Sequence, residues 1–203
     1  MLIFDCCSIK QTYEKHPLKP FLPANAKLLM LGSFPPPRHR WCMDFYYPNP
    51  QNDMWRIFGH VFFGDKTHFL NGDNRTFNRE RVVEFVLQTG VALYDTACAV
   101  RRLKANAADQ FLEVAENTDI AKLLKKIPEY RAIVTTGEKA TDVLCEWSGA
   151  EKPAVGSFSR FTYKGEKFLQ FRMPSSSRAY PMKLEKKAEY YAAMFRTIGF
   201  KVF

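Results

Sequence analysis

The chain has 203 residues, 46% of them hydrophobic, enough for one substantial core and short for two, so a single domain over 1–203 is expected. Thirty Lys and Arg against 21 Asp and Glu give a formal charge of +9 and favour a polyanionic partner. No apolar run approaches the roughly 20 residues of a membrane span. The opening MLIFDCCSIK lacks the basic start, long apolar stretch and small-residue cleavage site of a secretory leader, so a cytoplasmic protein without a membrane partner, acting as a monomer, is expected.

Cys6, Cys7, Cys42, Cys98 and Cys145 are odd in number and scattered, without a C-x-x-C pair, which argues against a disulfide framework and a zinc knuckle. His39 and Cys42 have a metal-like spacing, but no second pair accompanies them, so no metal site is expected.

In chain order, residues 1–26 hold Pro17, Pro20 and Pro23 and read as an irregular lead-in. Residues 28–31, LLML, are too short for a helix, and Gly32 with Pro35, Pro36 and Pro37 cannot continue a ladder, so they form a buried strand ending in a loop. That loop carries Ser33, Phe34, Arg38, His39, Arg40, Trp41, Phe45, Tyr46, Tyr47 and Asn49 before Asn52 or Asp53 caps a helix containing Met54, Trp55, Ile57 and Phe58. A loop of this length is usually functional or disordered, and its aromatic content speaks against disorder.

Residues 64–76 read as a surface loop. Asn78 caps a helix to Gln88, with Phe77 and Val82 spaced as a hydrophobic staple and Gly90 after its end. Residues 91–94 form a second strand that delivers Asp95, Arg101 and Arg102 to a following loop. A short helix is read over 107–115, and Thr118 or Asp119 caps a firmer one through Lys126 that Pro128 closes. Residues 132–135 are a third buried strand, followed by Gly137 and an amphipathic helix carrying Ala140, Val143, Leu144 and Trp147. Residues 158–163 and 168–171 flank Lys164, Gly165 and Glu166 as a hairpin, which Pro174, Ser175, Ser176, Ser177 and Arg178 end. From Met182 to Ile198 runs the longest helical period, with Leu184, Ala188, Tyr191, Met194 and Phe195 inward and Gly199 as its stop. The Lys183 to Lys187 run reads as a solvated helix face, and His16, His39, His60 and His68 as ordinary surface or core histidines. Strands alternating with helices imply an α/β protein with a mainly parallel sheet covered on both faces.

In a parallel sheet the strand ends at Gly32, Asp95 and Pro174 lie along one edge, the usual place for a ligand. The loops there supply small hydroxyls, amides, aromatics and arginines. No G-x-S-x-G, phosphate-binding loop or G-x-G-x-x-G is present, which argues against a covalent serine or phosphoryl-transfer enzyme. Each residue also has a plainer reading: Asn52 as a cap, Tyr46 and Tyr47 as packing, Asp95 as an acceptor for loop amides or an arginine, and the serines as a turn.

The blocks Gly32-Ser33-Phe34-Pro35, Tyr46-Tyr47-x-x-Pro50-x-Asn52-x-x-Trp55, Gly90-Val91-Ala92-Leu93-Tyr94-Asp95 and Pro174-Ser175-Ser176-Ser177 together resemble the uracil-DNA glycosylase superfamily. The resemblance is greatest to the branch of hypoxanthine-DNA and mismatch-specific uracil glycosylases. It implies a three-layer α/β/α sandwich and a DNA repair enzyme that flips a deaminated base, hypoxanthine or uracil, out of DNA and hydrolyses its N-glycosidic bond without a cofactor. Under that resemblance Asn52 is the catalytic candidate, orienting water or holding the base, and Gly32, Ser33, Phe34, Tyr47 and Asn49 bind the base. Ser175, Ser176, Ser177 and Arg178 hold the DNA backbone together with Arg38 and Arg40, and Asp95 is a supporting group. Phe34 stands where most of that superfamily place Asp or Asn to position water, and Arg178 and Tyr180 stand where Pro and Asn are usual. The competing expectation is a catalytically weak nucleic-acid-binding protein on the same scaffold.

Overall fold

The computed structural model describes residues 13–103, 111–127, 129–130 and 132–203. Four strands, β2 (Leu28–Gly32), β3 (Val91–Asp95), β6 (Ala132–Thr136) and β8 (Glu166–Met173), form a parallel sheet, and β7 (Ser157–Tyr163) adds an antiparallel edge, in the order β3-β2-β6-β8-β7. Every residue of β2, β3 and β6 is buried, which is why these strands read as continuous apolar runs rather than alternating ones. Lys164 and Gly165 both have positive φ (52° and 83°) and turn the β7–β8 hairpin as a two-residue loop, so Glu166 belongs to the strand.

Helices α1 (Met54–Phe63), α2 (Arg79–Thr89), α3 (Ile120–Leu124), α4 (Glu138–Ser148) and α5 (Leu184–Ile198) connect and cover the sheet. With the strand order β3-β2-β6-β8-β7, the right-handed rule for parallel crossovers assigns α1 and α2 to one face and α3 and α4 to the other, and α5 packs on α1, a three-layer α/β/α arrangement. The cap assignments follow side-chain chemistry. Asn78 accepts from Arg81 N, Asp119 from Lys122 N, and Gly90, Gly149 and Gly199 end their helices in the left-handed region. α3 ends at Leu124, short of the expected Lys126; Pro128 lies outside the described residues.

Three expectations are corrected. Arg101 and Arg102 do not lie in a loop: they end β4 (Ala97–Arg102), which pairs with β1 (Glu14–Lys15) and β5 (Leu112–Asn117) in a separate antiparallel sheet ordered β1-β4-β5. The helix read over 107–115 is strand from Leu112 onward, because Leu112 and Val114 pack on Phe34, Ala97 and Val100; residues 107–110 lie outside the described ones. The lead-in is partly ordered into the sheets, with Glu14 and Lys15 paired to Val100 and Ala99, and Phe21 N bonded to Leu93 O at 3.0 Å. Pairings that distant in sequence leave no local period to read.

Candidate active site

The carboxyl ends of β2, β3 and β6 open into a cavity of about 690 Å³, within the range of roughly 300–1,000 Å³ usual for small-ligand sites. Its floor is made by the strand ends Gly32, Asp95 and Thr136. The loop after β2 gives one wall, including Ser33, Phe34, Arg40, Tyr47, Asn49 and Asn52, and the turn after β8 faces it with Ser175, Ser176, Ser177 and Arg178. All the candidate residues therefore share one cavity except Arg38. That residue instead pairs with Asp44 at 2.7 Å, and its guanidinium lies 4.2 Å from the Trp41 ring centroid.

The two walls are joined by backbone. Asn52 and Ser177 form an antiparallel bridge, Asp53 N donates to Ser176 O at 2.8 Å, and Arg178 N donates to Gln51 O at 3.1 Å. Two loops about 125 positions apart thus hold each other at a fixed spacing, which pre-forms the slot between them. Behind the first wall, fully buried Trp55 donates its Nε1–H to Tyr46 O at 3.0 Å, and Tyr46 Oη donates to Lys19 O at 2.8 Å. These anchors place Tyr47 at φ 50°, a left-handed conformation that a bulky residue rarely adopts and that neighbouring structure must enforce. The Tyr47 hydroxyl lies 3.3 Å from Thr136 Oγ1; burial, then the charge of Asp95, pushes its phenol well above the ordinary range.

Either Asn52 or Asp53 was expected to cap α1, and the structure separates their duties. Asn52 Oδ1 accepts from Met54 N at 2.9 Å, while Asp53, formally the capping residue, makes no side-chain cap bond. Its buried carboxylate instead accepts from Arg178 Nε at 2.8 Å and has Arg56 Nη1 at 3.8 Å. Among the described residues Asn52 Nδ2 makes no hydrogen bond, so its two hydrogens remain for a ligand or water in the cavity.

Lys187 departs from the solvated-face reading. It is 1% exposed, and its ammonium donates to Ser177 O at 2.7 Å. Burial lowers its proton affinity, and it lowers that of Arg56 as well, with Arg178 adding to the effect on both. Arg56 and Arg178 flank the one carboxylate of Asp53, and the Lys187 ammonium is bonded to Ser177 O beside them, leaving the serine turn with a local excess of positive charge.

Asp95 meets a histidine rather than an arginine. His16 Nε2 lies 2.9 Å from Asp95 Oδ2, with the His16 side chain only 2% exposed. Phe34 lines the cavity, but its ring is committed to the cluster with Ala97, Val100 and Leu112, edge-on to His16 at 5.3 Å and beneath Arg102 at 5.5 Å. His16, Lys187 and Thr136 are the contributors that reading the sequence missed. Thr136 sits one residue past the expected strand and obeys the same strand-end rule; His16 and Lys187 carry no local signal.

No family model matches the sequence. It is 26% identical over 159 residues to the hypoxanthine DNA glycosylase of Methanosarcina barkeri, which covers 71% of this chain and 92% of that protein. It is 28% identical over 120 residues to the protein of the same name from Methanosarcina acetivorans, covering 59% of this chain and 68% of that one. Both likenesses support the resemblance to the uracil-DNA glycosylase superfamily and to its hypoxanthine branch. The fold agrees: a solution NMR structure from Methanosarcina acetivorans, provisionally named a uracil DNA glycosylase, superposes with a TM-score of 0.64 at 23% identity, over 93% of this chain and the whole of that one. The likeness to that structure is one of fold, over nearly the whole of this chain.

Proposed function

We propose that this chain is a monofunctional DNA N-glycosylase that everts a deaminated base, hypoxanthine or uracil, from DNA and hydrolyses its N-glycosidic bond. The observation that carries this reading is the slot itself, which lies between a rigid aromatic and amide wall and a cationic serine turn at the carboxyl edge of a parallel sheet. A base inside a duplex is out of reach, so an enzyme acting on it must receive it in such a slot and supply a stacking face and edge hydrogen bonds. Tyr47 gives the aromatic wall, and Gly32, Ser33, Phe34 and Asn49 complete the base side. Departure of the base builds cationic character on the sugar and negative charge on the base, so oriented dipoles and nearby cations supply much of the rate. Asn52, with Nδ2 unspent, holds water or the base. The turn from Ser175 to Arg178 holds the strand by phosphate, with Arg40 at the rim.

The second reading, a nucleic-acid-binding protein with weak or no activity, is favoured by Phe34, whose ring packs into an apolar cluster at the position where the resemblance to most of the superfamily implies Asp or Asn. Single-turnover assays on duplexes carrying hypoxanthine, uracil or xanthine separate the two. Alkali-labile abasic sites from the first or second duplex are expected. Inertness on all three with DNA binding retained gives the second reading; absence of DNA binding at low salt removes both.

A further inference from the structure

Asp53 stands at the start of α1, where an aspartate usually caps the helix through its side chain, yet it makes no such bond and Asn52 Oδ1 takes Met54 N instead. Its carboxylate, on a residue 6% exposed, reaches the serine turn and accepts from Arg178 Nε at 2.8 Å. An acid beside a face that must hold a polyanion opposes binding unless it does something a neutral side chain cannot. The neighbouring cations differ in what they have left to offer. Arg56 Nη1, 3.8 Å from the same carboxylate, donates to Pro50 O at 3.1 Å, and its guanidinium lies 5.0 Å from the Phe77 ring centroid, so it is a fixed counter-charge inside the wall. Lys187 is 1% exposed and spends its ammonium on Ser177 O at 2.7 Å. Arg178 instead has a side chain 43% exposed and lines the cavity, and among the described residues its Nη groups make no hydrogen bond. Its backbone N–H is pinned to Gln51 O at 3.1 Å and its Nε–H to Asp53, so both ends of a long side chain are held before any ligand arrives.

We infer that Asp53 is a positioning residue for DNA: it occupies the Nε–H of Arg178 and so presents the two Nη groups as a preformed fork for one backbone phosphate at the mouth of the cavity. A guanidinium carries its hydrogens in a rigid plane, and engaging Nε leaves the paired Nη edge to meet two phosphate oxygens together. Fixing the side chain in the free protein removes the ordering cost that a loose arginine meets on binding. The sign of the effect runs against net charge. Removing this acid makes the chain more positive and yet loosens its hold on a polyanion.

This inference rests on the phosphate contact of the glycosylase reading, and the test separates the two. Duplexes carrying a 2′-fluoroarabino-hypoxanthine nucleotide, whose fluorine slows bond cleavage, are titrated by fluorescence anisotropy with the wild-type protein, Asp53→Ala, Arg178→Ala and the double variant. Because Asp53 makes no cap bond, alanine there removes the acceptor and leaves the helix cap in place. Asp53→Ala is expected to bind about threefold to tenfold more weakly than wild type, the ordering cost of one long side chain. In the Arg178→Ala background the same substitution is expected to leave affinity unchanged or to tighten it, so the two changes are coupled. Affinity in Asp53→Ala equal to or above wild type overturns the inference, and so does an equal loss in both backgrounds, which marks general damage to the fold. Arg178→Lys, at an exposed position, keeps the charge and loses the fork. It is expected to bind at least about threefold more weakly, and wild-type affinity there overturns the inference as well. Excision of hypoxanthine by the wild type without coupling between positions 53 and 178 sinks this inference alone. Coupled binding without excision of hypoxanthine or uracil sinks the glycosylase reading and leaves the fork standing, and absence of DNA binding at low salt removes both.

Discussion

Replacing Asn52 with Ala separates its two roles. The substitution removes the bond from Met54 N to Oδ1 at 2.9 Å, a loss of about 1 kcal/mol for an amide cap, which lowers the melting temperature of a domain this size by about 2–4 °C. It also removes Nδ2 from the cavity. A single positioned dipole aimed at developing charge commonly contributes 10²–10³ in rate, so single-turnover excision from a hypoxanthine duplex is expected to fall by about that factor and by no less than about tenfold. Asn52→Ser is the control, because a serine oxygen caps nearly as well as asparagine but presents no amide. It is expected to restore the melting temperature and leave excision impaired, with DNA affinity near wild type in both variants. Wild-type excision by the serine variant would reduce Asn52 to a cap, and an unchanged rate in the alanine variant would refute the catalytic role.

Arg178→Ala leaves the buried Asp53 carboxylate with Arg56 and Lys187 and is expected to weaken DNA binding and flatten its dependence on log salt by about one unit; affinity equal to wild type at every salt concentration refutes the phosphate contact. Gly32→Ala forces a Cβ onto Asp95 Oδ1 and should cost about 1–3 kcal/mol of stability together with most of the excision activity, read by thermal melting and single-turnover rates; a variant as stable and active as wild type contradicts the close packing at the cavity floor. Burial raises the phenols of Tyr46, Tyr47, Tyr94 and Tyr191, that of Tyr94 to about 12. A folded-state value above the unfolded one means stability that is complete below pH about 10 and lost as pH rises beyond it, since only the unfolded chain then releases those protons. Melting temperature should therefore fall between pH 10 and 12, less steeply in Tyr46→Phe, and a flat profile over that range refutes the burial argument.

The parts that sequence conveyed are those with local causes. The run of four apolar residues before Gly32 and the Asn78 cap with Gly90 behind it each state their conformation within a few residues, and the structure has them there; the turn read over Lys164, Gly165 and Glu166 is there too, tightened to its first two residues. Because parallel strands put their ends on one edge, finding the strands was enough to bring Ser33, Asp95 and Ser175 into one cavity. What stayed hidden depends on contacts between distant residues. The β1-β4-β5 sheet pairs Glu14 with Val100, and Arg101 and Arg102 at its end looked like loop residues because their partners, Glu113 and Glu14, are far along the chain. Lys187 sits in a run of lysines that period alone assigns to solvent, and only the approach of Ser177 O gives it a reason to be buried. His16 is one of four histidines without a motif, and its meaning lies wholly in Asp95, 79 positions on.

The most direct measurement is a crystal structure of the protein on a duplex carrying 2′-fluoroarabino-hypoxanthine. The account requires the nucleobase to be out of the helix and in the cavity, against Tyr47 and within reach of Asn52 Nδ2 directly or through one water, with a flanking phosphate at the turn from Ser175 to Arg178. DNA lying on another face, or the base still stacked in the duplex with the cavity empty, would contradict it.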